Sequence, residues 1–134
     1  MSEDSAPPND SPEAVRAAFD VLDRHMAGLN ANDPEMINDT LHFPHYRLAG
    51  SVFKCWPDGT AYFADFLGRA GDGWARSAWD FRRITAVSDT KVHVSVQFTR
   101  YRADDSVLGQ FKSLWVITCI EGRWAAQLRS SFAS

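Results

Sequence analysis

From position 12 onward, apolar residues recur at three- and four-residue steps. Val15, Ala18, Phe19, Leu22, Met26 and Leu29 make one stripe, which predicts an amphipathic helix over 12–30. Ser11 is a suitable N-cap, Pro12 fits the first helical position, and Glu13 places negative charge in the first turn. Asn30 to Asn32 end this helix, and Asp33-Pro34 start a short second one through Ile37. The segment from His42 to Leu48 reads as a connector entering a short strand. Gly50 turns the chain, and 51–56 pairs back as a hairpin. Pro57-Asp58-Gly59 is a turn. Thr60 is expected to cap a third helix that carries Tyr62, Phe63, Phe66 and Leu67 on one side.

After Trp74 the period changes to two. Four long strands are predicted at 76–88, 91–102, 107–120 and 123–132, joined by short turns. Short joints make consecutive strands antiparallel neighbours. Helices followed by a run of strands define an α+β domain with helices on one sheet face. Residues 1–11 are rich in Ser, Pro and acids, so they read as a disordered or loosely docked tail. The remainder, 12–134, is read as one domain.

Composition adds little to this picture except in two respects. Five Trp and nine Phe in 134 residues predict a large-featured, partly hollow interior. A net charge of −3 argues against nucleic acid as the main partner. Cys55 and Cys119 form no Cys-x-x-Cys pair and read as two free, buried thiols of a cytoplasmic protein. No apolar run approaches the ~18 residues of a membrane span.

The element order, together with Phe43-Pro44-His45-Tyr46-Arg47-Leu48, Arg76-Ser77-Ala78-Trp79-Asp80, Phe98-Thr99-Arg100-Tyr101 and Arg129-Ser130-Ser131-Phe132, resembles an uncharacterised bacterial branch of the NTF2-like (SnoaL-like, cone fold) superfamily. The resemblance implies a curved mixed or antiparallel sheet wrapped around the long first helix, with a pocket at the open end. It does not choose an activity, because that fold carries both enzymes and non-catalytic modules. In the ketosteroid isomerase and polyketide cyclase relatives, aspartates near the pocket do acid–base work. Here no Asp or Glu lies between Thr40 and Pro57.

His45, behind Pro44, is the candidate acid or base in that segment, with His42 second. Asp80 is the candidate carboxylate. It faces the interior if Ala78 and Ile84 do, and the outer sheet face if Trp79 and Phe81 face in. Arg100 continues the apolar row Val92, Val94, Val96 and Phe98, which puts a guanidinium near the cone mouth for an anionic group. Arg129 falls in the more polar row of the last strand and is expected to face outward. Tyr46, Trp56, Phe63, Phe98 and Trp115 are the candidate apolar walls of a ligand pocket. No metal or cofactor signature occurs, and His-x-x-His on extended backbone points to opposite sides.

The third long strand, from Phe111 to Ile120, is apolar on both faces. A strand of that kind is covered on both sides, which predicts a homodimer packed through the outer sheet face. Three functional readings stay open at this point. One is a binding module for a small apolar or aromatic molecule. Another is a cofactor-free acid–base enzyme of isomerase, dehydratase or hydratase type. The third is a dimeric scaffold without a ligand.

Overall fold

The computed structural model describes residues 3–7 and 11–133. Residues 1, 2 and 8–10 of the predicted tail, and residue 134, lie outside the described residues. The elements in chain order are β1 (Glu3–Ser5), α1 (Pro12–Asn30), α2 (Pro34–Asn38), β2 (Leu41–Ala49), β3 (Val52–Trp56), α3 (Gly59–Ala70), β4 (Arg76–Val87), β5 (Lys91–Tyr101), β6 (Val107–Ile120) and β7 (Arg123–Ser131). The strands form one curved sheet in the order β1-β4-β5-β6-β7-β2-β3. The meander β4 to β7 is antiparallel, as its short turns require. The sheet is mixed because β2 pairs with β7 in parallel, and so does β1 with β4.

The apolar stripe of α1 closes onto this sheet. Val21, Leu22 and Ala18 are fully buried, as are Val92, Val94 and Val96 of β5 and Ile117 of β6. Each Val, Leu and Ile side chain among these contributes about 1.5–3 kcal/mol on leaving water. From the tail, β1 adds one tie. Arg82 donates to Asp4 at 2.8 Å and to Asp23 of α1 at 2.5 Å, joining edge strand, sheet and helix.

The helix starts differ in part from expectation. Asp33 caps α2 and accepts from the Glu35 and Met36 amides. The cap of α3 is Asp58, which accepts from the Ala61 amide at 2.8 Å, rather than Thr60. The helix can start early because Gly59 lets it press on α2. A Cβ there would lie 2.8 Å from Asn38 Cβ and 2.9 Å from the Pro34 carbonyl oxygen. Ser11 makes no side-chain cap, and its hydroxyl donates to Asp89 instead.

Two β-bulges decide which side chains face inward. In β7, Val116 pairs with Leu128 while Ile117 pairs with Ala126, so Gln127 is an extra residue. The extra residue reverses the alternation. Ala126 faces the core, Leu128 turns out, and Arg129 and Ser131 turn in. The outward placement expected for Arg129 is therefore corrected. In β4, Trp79 pairs with Phe98 and Phe81 with Gln97, which leaves Asp80 as the extra residue. Trp79 is buried before the bulge, and Arg82 and Ile84 after it, so neither period-two row holds along the whole strand. Cys119 is half-buried, but Cys55 is exposed, because β3 is an uncovered edge.

Candidate functional site

The open end of the cone holds a small interior cavity. The room open to the centre of a water-sized sphere is about 20 Å³. That is space for one or two waters, or for the two oxygens of a carboxylate. Its apolar walls come from Met26 and Leu29 of α1, Phe66 of α3, Trp79, Phe98 and Trp115. Its polar walls come from His25, Tyr62, Ser77 and Ser131 and from four arginines: Arg47, Arg69, Arg100 and Arg129. No Asp or Glu among the described residues belongs to the lining.

Arg47, Arg100 and Arg129 are only 3%, 4% and 8% exposed. The inward parity of β2 places Arg47, the end of the apolar row of β5 places Arg100, and the Gln127 bulge places Arg129. None of the three has a carboxylate partner among the described residues. Arg47 donates to the Ala133 carbonyl, and Arg129 donates to the Tyr62 hydroxyl. The Nε of each lacks a hydrogen-bond partner among the described residues, as does Nε1 of Trp115. Rings occupy some of the space around these cations. The Arg129 guanidinium carbon lies 4.8 Å from the Trp115 ring centroid, and that of Arg100 lies 4.8 Å from Phe111.

Burial, then Arg129 and Arg69, pull Arg47 down to about 9. Burial, then Arg69 and Arg129, pull Arg100 down to about 10. Burial brings Arg129 to about 10 as well, with Arg69 acting in the same direction. All three remain cations at neutral pH. Collecting like charges out of water with no counter-charge is costly. Arg69 differs, because it is held by Asp65 at 2.7 Å, which also takes Lys54 at 3.4 Å.

Arg47 and Arg69 also line a surface cleft of about 230 Å³ together with Ala49, Val52 and Lys54. The same two side chains thus stand between the interior cavity and solvent.

Of the residues singled out in the sequence, Phe98, Arg100 and Trp115 line the cavity. His45 is fully buried one layer behind it. Its Nδ1 donates to the Ala126 carbonyl at 3.1 Å, and its ring lies 5.7 Å from that of Tyr62. Burial, then Arg129, lower it to about 3, so it is a neutral imidazole. Asp80 is on the other sheet face, accepting from Gln97 at 3.0 Å and Thr99 at 2.7 Å. His45 and Asp80 therefore do not converge on one point. Trp56 and Phe63 are buried near Tyr62 and Phe66 but outside the lining. Tyr46 stacks on Phe53 at 5.6 Å, away from the cavity. His42 donates from Nε2 to the Thr118 carbonyl and accepts from Arg123 at Nδ1.

The charged or titratable lining residues not anticipated there are His25, Arg47, Arg69 and Arg129. For His25 a signal existed, because it interrupts the Leu22–Met26–Leu29 stripe with a titratable side chain. For Arg47 the signal was its parity with His45. For Arg129 the bulge erased any signal.

A curved mixed sheet around a long helix, with a polar cavity at its open end, is the NTF2-like cone. No family model matches the chain, and no curated protein matches it by sequence. Solved structures match its shape. An NTF2-like protein with a cystatin-like fold from Novosphingobium aromaticivorans superposes with a TM-score of 0.73 at 11% identity, covering 90% of this chain and 81% of that one. An NTF-2 like protein of unknown function from Shewanella oneidensis MR-1 gives 0.69 at 11% identity, covering 87% and 97%. An NTF2-like protein from Cytophaga hutchinsonii gives 0.67 at 17% identity, covering 95% and 100%. The chain has the NTF2-like fold.

Proposed function

We propose that this protein is a binding cone for a small organic anion. The observation that carries this reading is the trio Arg47, Arg100 and Arg129, buried around one cavity that no carboxylate among the described residues lines. A fold does not keep such a cluster for stability, since apolar side chains of the same volume would be cheaper there. An anion would satisfy the three free Nε donors with charge-assisted hydrogen bonds. With the side chains where they stand, the cavity admits a carboxylate head. The body of the ligand then extends past Arg47 and Arg69 into the cleft. This refines the expected small apolar or aromatic ligand by giving it a charge.

The test is calorimetric titration, with thermal unfolding alongside, using acetate, propionate and benzoate against their amides. The carboxylates are expected to bind and to raise the melting temperature by mass action, and the isosteric amides are not. Equal responses to acid and amide, or no response to either, would overturn the reading.

The functional unit is proposed to be a homodimer. Leu114, Leu128 and Ile120 on the outer side of β6 and β7 are 37%, 39% and 43% exposed, and a second copy of the sheet is the surface most complementary to them.

A further inference from the structure

His25 is fully buried in α1, yet it lines the arginine cavity. Its Nδ1 lies 2.9 Å from Oγ1 of Thr40, and Thr40 in turn donates that hydroxyl to the Ile37 carbonyl at 2.8 Å. A hydroxyl has one proton. With that proton on Ile37, Oγ1 is the acceptor and Nδ1 carries the ring hydrogen. Electrostatics select the same tautomer. The opposite one would aim a ring N–H, the positive end of a dipole, toward a cavity already walled by guanidinium groups. Nε2 therefore bears a lone pair, and it has no partner among the described residues. The ring is held in place. It meets Trp115 edge-on at 4.9 Å and Tyr62 at 5.8 Å, the same two rings that flank Arg129. Burial, then the charge of Arg129, push its pKa well below the usual histidine range, so it stays neutral.

The cavity thus offers several cationic donors and, beside them, one fixed acceptor. A simple carboxylate has no proton for that acceptor. A hydroxy acid does: its carboxylate meets the arginines while its hydroxyl donates to Nε2. We propose that His25 is a specificity-determining residue of the cavity and that the ligand class is hydroxy carboxylates. This rests on the anion-binding reading above and narrows it.

Matched pairs test it: lactate against propionate, and mandelate against phenylacetate, titrated at pH 7.5. A buried acceptor left unpaired by the deoxy analogue is expected to separate each pair by tenfold or more in Kd. His25→Phe, which keeps an aromatic ring but has no acceptor, should bring the two members of a pair to equal affinity. Thr40→Val, outside the cavity lining, should shrink the difference by releasing the tautomer. Nitrogen-15 NMR of the wild-type imidazole gives a readout independent of binding and of either variant's folding. A bare, unprotonated Nε2 is expected, and a protonated Nε2 would overturn the proposal. If the carboxylates bind but the hydroxyl gives no preference, the hydroxy-acid proposal fails while the anion reading stands. If no carboxylate binds, both fail.

Discussion

The guanidinium of Arg129 donates to the hydroxyl of Tyr62, and its carbon lies 4.9 Å from the centroid of the same ring. Tyr62, on α3, is fully buried, so this contact pins the third helix to the last strand across the cavity. It also holds one face of the arginine and leaves Nε directed elsewhere. Tyr62→Phe removes the acceptor from a buried cation. A loss of about 1–3 kcal/mol is expected, seen as a lower urea midpoint at unchanged slope.

Arg100 illustrates the conflict between stability and binding. Among the described residues it makes no ion pair and its Nε has no partner. Arg100→Met keeps much of the packing volume and removes one of the mutually repelling charges. The ligand-free variant is expected to be more stable by about 1–3 kcal/mol, while the thermal shift produced by carboxylates is largely lost. A variant that melts lower and still responds to carboxylates would contradict this.

The buried histidines set the acid limit of the fold. His45 is held near 3 by burial, by Arg129, and by His42 and Arg47, with the Ala126 carbonyl acting the other way. Unfolded, it titrates near 6.5. Below pH 6.5 the unfolded chain takes up a proton that the native state refuses, so stability is complete above that pH and falls as pH drops toward 3. From His45 alone the loss is about 2 kcal/mol at pH 5. His25 is shifted in the same direction and adds to it. Denaturant unfolding at pH 7 and pH 5 is expected to show the fall, and His45→Gln to reduce it by about the stated amount.

The proposed dimer is checked by light scattering on a size-exclusion column. The wild-type chain is expected at twice its 15.0 kDa. Leu114→Lys with Leu128→Lys puts charge on the exposed apolar surface without entering the core. This double variant is expected to run as a folded monomer. A wild-type monomer at micromolar concentration would reject the interface.

From α1 onward the element order, the period-two meander and the identity of the core row Val92, Val94, Val96 were legible in the chain, because local period and turn chemistry determine them; the strand β1 in the polar tail was not. So was Arg100, since β5 keeps its alternation up to that residue. Two features were set only by tertiary structure. The bulges at Gln127 and Asp80 reverse the alternation of the residues that follow them, which brought Arg129 inside in β7 and turned Arg82 and Ile84 inward in β4. Such an insertion depends on the partner strand and leaves no trace in the period of a single strand. The fold likewise gathered Arg47, Arg100 and Arg129, from three separate strands, around His25. Their spacing along the chain carries no sign of a shared cavity, because only the curl of the sheet around α1 brings those strand ends together.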